Sequence, residues 1–303
     1  MGELEFIFVI VLRPQWLLSF TFTIKRKDYL FEMNTLLEKQ FSGKTAPADL
    51  IQARLKDFPG QTACYFENLC TGETVSWHAE DPLLSASVIK LFVLAAAFEQ
   101  MEQGMLSREE RMVLREADKV PPSGALYFLH EGVELTVMDL CRLMIVFSDN
   151  VATNLLCDRI GIPYIQDFMK RTGFEKSVLN RKMFDYESAK KGLQNYVTAA
   201  EVGRFFSMLY HEELVSAAAS REMLSILKEQ QVNGKIPFYL ERLEDAPEIA
   251  HKTGEDEGIT NDAGIVYGKT PFILSLLGNS IDTAAYEKVM QDLALELYTS
   301  LSL

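Results

Sequence analysis

The spacing of apolar residues along the chain predicts two kinds of element. Short runs rich in β-branched and aromatic residues, bounded by glycine or turn residues, indicate strands, and they lie near both ends of the domain. Stretches with apolar residues three and four apart indicate amphipathic helices, and most of them lie between those strands. The predicted strands are 62–69, 74–78, 264–267 and 272–277. The predicted helices are 45–58, 85–104, 107–115, 136–147, 152–160, 199–209, 216–229 and 283–298.

The order of these elements predicts how the chain folds. Strands near the two ends must pair in one antiparallel sheet if their backbone groups are to be satisfied. We therefore predict an α+β domain over residues 45–298, with the sheet lobe at 45–80 and 247–298 and an inserted all-helical lobe at 85–230. Helices at the N- and C-terminal ends flank the sheet, and a pocket is expected between the lobes. Residues 171–196 contain few periodic apolar positions and predict a long loop, which is usually functional.

Residues 1–32 form an apolar leader, which Arg13-Pro14-Gln15 interrupts and Lys25-Arg26-Lys27 follows. A secretory signal has its positive charges first and small residues at a cleavage site, and this leader has neither. A membrane span needs about 20 apolar residues, and the interruption shortens the run. Three alternatives stay open: a membrane anchor, a poor export signal, or translation that begins at Met33. The first two imply the cell envelope or the exterior, and the third implies the cytoplasm.

Charge and composition exclude several classes of function. The net charge is −13, and residues 1–32 carry four acids and four bases, so the negative excess lies in the rest of the chain. That balance argues against a nucleic-acid partner. The four cysteines and four histidines show no metal-ligand spacing, and the chain has no phosphate-binding glycine loop and no Gly-x-Ser-x-Gly motif. We expect no metal, no cofactor, no nucleic acid, membrane contact only through the leader, and a monomer.

Ser87 and Lys90 lie three residues apart at the start of a predicted buried helix, so they share one helical face. A partly desolvated lysine can be neutral, and a neutral amine can take a proton from a neighbouring hydroxyl. Such a pair makes a nucleophile without a histidine. The spacing alone is a weak signal. It recurs at two other places, Ser188/Lys191 and Ser225/Lys228.

Two further motifs follow in order, Ser148-Asp149-Asn150 and Lys252-Thr253-Gly254. Together with Ser87-Val88-Ile89-Lys90 they resemble the signature set of the serine β-lactamases and penicillin-binding transpeptidases. The flanking residues 143–156 and 258–262 resemble those of class A β-lactamases, and the resemblance covers about residues 45–298. It implies the two-lobed fold of that superfamily, with a five-stranded antiparallel sheet.

The resemblance also implies a catalytic set of Ser87, Lys90, Ser148 and Lys252. Ser87 would attack an amide or lactam carbonyl and form an acyl-enzyme. Lys90, kept neutral by burial and by the charge of Lys252, would act as base, and Ser148 would relay the proton to the leaving nitrogen.

The substrate contacts that the resemblance implies come from the residues beside this set. The backbone N–H groups of Ser87 and Glu255 would form the oxyanion hole. Asn150, Thr253 and Gly254 would contact the substrate, a small-molecule β-lactam or a peptidoglycan-derived peptide. Two of these residues have purely structural alternatives. Asn150 would be a helix N-cap, and Lys252 would be an exposed charge that protects an edge strand from aggregation.

The sequence departs from the class A pattern where deacylation is concerned. Class A enzymes use a loop glutamate to activate water, and alignment on residues 179–181 places Met183 there. A thioether cannot accept that proton. Asp185 and Glu187 lie nearby and could replace the missing glutamate as the base, or they could only hold the loop in place. Thr260 stands where many members have an arginine for the substrate carboxylate.

The turn Glu255-Asp256-Glu257 is a further departure, because it is acidic and one residue short. Our interpretation is a class A β-lactamase-like serine hydrolase that acylates Ser87, with slow or restricted hydrolysis. The alternatives are a D-Ala-D-Ala carboxypeptidase or esterase on the same fold, and a non-catalytic sensor of β-lactams or muropeptides that stays acylated.

Overall fold

The computed structural model describes the backbone of residues 3–11, 17–25, 45–121 and 123–302, with side chains for the last two ranges. Strands β1 (Glu3–Val11) and β2 (Leu17–Lys25) form an antiparallel pair within the predicted leader, and Met33 lies outside the described residues. No helix in the described ranges is both long enough and apolar enough to cross a membrane. The function of the leader stays a prediction.

The remaining elements include every predicted strand and every predicted helix except 107–115, and they also include strands and short helices that the apolar spacing did not predict, among them the strand 248–256. The strands are β3 (Gln61–Asn68), β4 (Thr74–Trp77), β5 (Leu83–Leu84), β6 (Arg111–Val113), β7 (Glu134–Thr136), β8 (Tyr196–Val197), β9 (Glu248–Asp256), β10 (Ile259–Tyr267) and β11 (Phe272–Asn279). The helices are α1 (Pro47–Leu55), α2 (Lys90–Glu102), α3 (Val137–Val146), α4 (Asn150–Ile160), α5 (Ile162–Arg171), α6 (Tyr186–Lys190), α7 (Ala199–Tyr210), α8 (Ala217–Lys228), α9 (Pro237–Leu240) and α10 (Thr283–Ser302).

The main sheet has five antiparallel strands in the order β4-β3-β11-β10-β9, so strands from both ends of the domain pair at its centre. This confirms the predicted α+β fold. One face of the sheet packs against α1 and α10, through Leu50, Ile51, Leu55, Tyr286 and Met290 among others. The other face meets the helical lobe. Strand β9 is an edge strand, which leaves one side of its backbone directed towards that lobe.

Helix α2 lies at the centre of the helical lobe, and its residues from Lys90 to Phe98 are all buried. A helix that is apolar on every side is stable only where it is surrounded by protein. A 3₁₀ turn, Ala86–Ile89, precedes it and contacts β9. The buried helix therefore carries Ser87 and Lys90 to the boundary between the two lobes.

Two predictions in the helical lobe are wrong. Residues 107–115 are not a helix, because Arg111–Val113 form strand β6 and pair with β7. Met112 is half-buried and Leu114 is buried, while Arg111 and Val113 are exposed, which is the two-residue period of a strand. The charged residues around this short run hide that period in the sequence. Helix α5 was not predicted; it begins after Gly161, which has a φ of 91°, and has a proline in its first turn. The long loop 171–196 is largely confirmed, although it contains α6.

Candidate active site

The 3₁₀ turn that carries Ser87 is held against the edge strand β9. A Cβ atom on Gly254 would lie 2.9 Å from the Ser85 carbonyl oxygen and 3.0 Å from the Ser87 nitrogen, so glycine is needed for this approach. Ala86, just before Ser87, has a φ of 41°, in the left-handed region that non-glycine residues seldom adopt. Such strain is typical of functional sites. Ser87 itself is half-buried.

Lys90 is fully buried, and the hydrogen bonds of its side chain are to the Ser148-Asp149-Asn150 motif. Its Nζ lies 2.6 Å from the Ser148 carbonyl oxygen, 2.8 Å from Asn150 Oδ1 and 3.1 Å from Ser148 Oγ. Burial, reinforced by the charge of Lys252, holds the pKa of Lys90 well below its usual value. Three oxygen atoms thus surround Nζ; an ammonium can donate to all three, and a neutral amine can donate to the two carbonyl-type oxygens and accept from the Ser148 hydroxyl. The lowered pKa, and not the contact pattern, favours the neutral form of Lys90.

Lys252 approaches Ser148 from the other side. Its Nζ donates to Ser148 Oγ at 3.0 Å and to the Thr253 carbonyl at 2.7 Å, and the side chain is fully buried. Burial and the positive charge of Lys235 lower the pKa of Lys252 to about 7. Ser148 Oγ thus lies between two buried amines, and Ser148 has a left-handed φ of 54°. The expected proximity of Lys90, Ser148 and Lys252 is present.

The sequence left open whether Asn150 is a helix N-cap, and in the structure Asp149 has that role. Asp149 is the N-cap of α4, accepting from Ala152 N at 2.9 Å, and its second oxygen accepts from Ala125 N at 2.7 Å and Leu126 N at 2.8 Å. Asn150 is therefore not the cap. Its side chain is free to accept from Lys90, and it lines the cavity described below.

Ser123 is a site residue that the sequence did not indicate. Its Oγ donates to the Ser148 carbonyl at 3.0 Å, and its own carbonyl accepts from Asn150 N at 3.0 Å. These bonds hold the strained Ser148 in place. Ser123 belongs to an irregular segment without helical or strand periodicity, so only the folded chain brings it to the motif.

A cavity of about 560 Å³ lies between the lobes, where the fold predicts one. Its wall includes five of the motif residues, Ser87, Ser148, Asn150, Thr253 and Gly254. Lys90 and Lys252 lie behind this wall, fully buried. Ser87 and Ser148 therefore border the cavity, while the two lysine amines beside Ser148 are shielded from water.

Met183 also lines this cavity, as the alignment of the loop predicts. Asn154 holds it there, because Met183 N donates to Asn154 Oδ1 at 2.8 Å and the Met183 carbonyl accepts from Asn154 Nδ2 at 3.0 Å. The candidate carboxylates lie elsewhere. Asp185 caps α6 by accepting from Ser188 N and Oγ, and Glu187 pairs with Lys190 at 2.8 Å.

Neither Asp185 nor Glu187 lines the cavity, so the geometry favours the alternative in which they only hold the loop in place. Thr260, the second departure, is fully buried, and its Oγ1 lies 3.4 Å from Glu287 Oε1. Thr260 therefore does not supply the contact to the substrate carboxylate that the arginine makes in many class A enzymes. Within residues 45–121 and 123–302, no cluster of three or more His, Cys, Asp or Glu side chains could hold a metal ion.

The fold and the site together define a class of protein. A half-buried serine at the start of a central helix, a second serine between two buried lysines, and an edge strand with a glycine beside the first serine form a site for acyl transfer through a serine hydroxyl. The comparisons agree with this. A sequence model of the β-lactamase enzyme family matches residues 46–301, so the chain belongs to that family.

Two β-lactamases are among its relatives. The β-lactamase of Rhodobacter capsulatus is 27% identical over 220 residues, which cover 70% of this chain and 73% of that protein. The β-lactamase of Streptomyces albus G is 25% identical over 247 residues, 78% of each. The protein is thus a serine β-lactamase-type hydrolase.

Solved structures show the same fold. A β-lactamase from Sphaerobacter thermophilus has a TM-score of 0.77 and 28% identity, covering 85% of this chain and 97% of that one. PBP-A has a TM-score of 0.76 at 22% identity, covering 84% of this chain and 95% of its own, and supports the fold alone.

Proposed function

We propose that Ser87 is the nucleophile and that it forms an acyl-enzyme with a β-lactam or a related amide. One observation carries the proposal: Ser148 Oγ lies 3.1 Å from Lys90 Nζ and 3.0 Å from Lys252 Nζ, at the wall of the cavity that Ser87 also lines. Burying two amines around one hydroxyl group costs folding free energy, and buried titratable groups of this kind cluster at functional sites.

During acylation one proton passes from Ser87 to the leaving nitrogen, by way of Lys90 and Ser148. Ser87 Oγ gives its proton to neutral Lys90 and bonds to the carbonyl carbon, and the C–N bond breaks. Lys90 then returns a proton to Ser148, which passes its own proton to the leaving nitrogen. Because Lys90 bonds to Ser148 and Asn150 rather than to Ser87, the first transfer needs a side-chain rotation or one bridging water.

The ammonium form of Lys252 supports the relay by donating to Ser148 Oγ, and with Thr253 it faces the substrate carboxylate. The backbone N–H groups of Ser87 and Glu255 form the oxyanion hole. The contact between Gly254 and the Ser87 backbone supports this assignment, because it brings the two backbone segments together. Asn150 contacts the substrate beside the nucleophile.

Deacylation is the slow step in this proposal. A water beside the acyl group needs a base, and the loop position that aligns with the class A glutamate holds Met183, while Asp185 and Glu187 make local bonds outside the wall. The carboxylates that do line the cavity, Glu255, Asp256 and Glu257, belong to the end of β9 and the turn after it, not to this loop. The expected result is a long-lived acyl-enzyme and slow β-lactam hydrolysis. The same observation favours, as second candidate, a sensor of β-lactams or muropeptides that remains acylated.

Intact-mass spectrometry over time with benzylpenicillin tests these proposals. We expect the mass of one penicillin to appear on the wild type and not on Ser87→Ala, followed by slow loss of the adduct. Slow loss with continued turnover supports the hydrolase, whereas a single burst without turnover supports the sensor. Absence of any adduct would refute acylation at Ser87. Release of D-alanine from a short peptidoglycan peptide would instead identify a carboxypeptidase.

A further inference from the structure

The end of β9 places three carboxylates on one wall of the cavity, those of Glu255, Asp256 and Glu257. The Glu255 carboxylate is compensated, since it lies 2.8 Å from the ammonium of buried Lys235. Asp256 accepts only the backbone N–H of Glu257, at 2.8 Å. Among the side chains in residues 45–121 and 123–302, no basic group lies within ion-pair distance of Asp256 or Glu257. Asp256 and Glu257 therefore line the cavity without an ion-pair partner among these residues.

An aromatic pair forms another part of the same wall. Phe184 and Tyr186 both line the cavity, with ring centroids 5.8 Å apart in an edge-to-face arrangement. Their exposed fractions are 36% and 60%, so a ligand could cover both rings. Phe184 has a φ of 60°, an outlier for a bulky residue. Two exposed aromatic rings that line the cavity are an observation independent of the carboxylates, and they indicate an apolar group in the ligand.

The other charges at the cavity do not cancel the acidic wall. Arg181 also lines the cavity and makes no ion pair with Asp256 or Glu257; its guanidinium donates to Gln194 Oε1 at 2.8 and 3.1 Å and to the Lys182 carbonyl at 3.2 Å, and its single positive charge offsets only part of the charge of the two carboxylates. Lys90 and Lys252 are fully buried and do not line the wall, whereas Asp256 and Glu257 are exposed and line it, so a ligand in the cavity meets these two carboxylates directly. A ligand group near Asp256 and Glu257 therefore meets a negative potential.

The direction of β9 indicates which part of the substrate lies there. A strand advances about 3.4 Å per residue, so Asp256 lies about 10 Å beyond Thr253 along the edge. In the proposed function, Lys252 and Thr253 face the carboxylate of the leaving portion. The opposite end of the substrate, its acyl side chain, is thus the portion within reach of Asp256, Glu257 and the aromatic pair.

We infer that the preferred substrate carries an aromatic acyl side chain with a positively charged group, and that Asp256, Glu257, Phe184 and Tyr186 determine this specificity. The inference rests on the proposed function, because it concerns the acyl portion that Ser87 retains. It adds the chemical class of the side chain, an aryl group with an amine. An anionic side chain is disfavoured by like-charge repulsion.

Three penicillins that share one phenyl side chain test the charge preference: aminobenzylpenicillin (ampicillin), benzylpenicillin and carboxybenzylpenicillin (carbenicillin). The second-order rate of Ser87 acylation is measured by intact mass at pH 6, where an α-amine is protonated. We expect the order amino, neutral, carboxy, with about a tenfold difference between the first and last at low salt that shrinks as salt is added.

Neutral variants assign the preference to the acidic wall. In Asp256→Asn/Glu257→Gln the amino-to-carboxy ratio should fall to about two or less, while Glu175→Gln, an exposed carboxylate outside the cavity wall, should leave it unchanged. Tyr186→Ala should slow all three penicillins about equally, since it removes apolar contact and no charge. Equal rates for the three penicillins, or a ratio that persists in the double variant, would overturn the inference alone. Absence of adducts with all three would overturn the proposed function and the inference with it.

Discussion

Replacing Asp149 with asparagine should destabilise the protein far more than a change of one atom implies. The carboxylate is fully buried and accepts three backbone N–H groups, two on Oδ2 and one on Oδ1. An amide has only one acceptor oxygen. If that oxygen faces Ala125 and Leu126, the NH₂ group opposes the N–H of Ala152 and the cap of α4 is lost.

The magnitude follows from the bonds. Loss of an N-cap costs about 1–2 kcal/mol. The two remaining bonds change from charged to neutral acceptors, which costs roughly 1 kcal/mol each. The sum is about 3–4 kcal/mol, which corresponds to a fall in Tm of about 10 °C for a domain of this size.

Thermal unfolding followed by circular dichroism measures this loss, and Asp185→Asn is the matched control. Asp185 also caps a helix, but it is partly exposed and its bonds are confined to the five-residue α6. Water can replace those bonds, so we expect the fall in Tm of the control to be much smaller. A loss in Asp149→Asn as small as in the control would refute the view that this carboxylate holds segments 123–126 and 148–152 together.

Three further predictions concern the chemistry. Met183→Glu places a carboxylate at the cavity wall and should raise the rate at which a penicillin adduct is lost by about tenfold or more, measured by intact mass; an unchanged rate would contradict the role of this position. The pKa of Lys252 is lowered to about 7, so its ammonium form is lost as pH rises through that value, and the acylation rate should show an alkaline limb near pH 7 that Lys252→Met lacks. Gly254→Ala should slow acylation about tenfold by displacing the Ser87 backbone, whereas Gly234→Ala, with open space around it, should have little effect.

The sequence by itself determined the order of elements, the class of fold and most of the motif residues. Apolar periodicity marked α2 as a helix buried on every side, and the short motifs Ser148-Asp149-Asn150 and Lys252-Thr253-Gly254 carry their chemistry in residue type and spacing. Local patterns suffice for these features, because helix periodicity, turn residues and motif spacing depend on near neighbours. Residues 107–115 mark the limit, since strand β6 depends on a partner more than 20 residues away.

Only the tertiary structure decided which groups touch. It brought Ser123 to the Ser148 carbonyl, assigned the N-cap to Asp149 rather than Asn150, and directed Asp185 and Glu187 away from the cavity that Met183 lines. The protonation states of the site also depend on the tertiary structure. The lowered pKa of Lys252 arises from burial and from the charge of Lys235, a residue that no motif includes. Electrostatic energies depend on distance through space and on exclusion of water, and neither is encoded at a fixed separation along the chain.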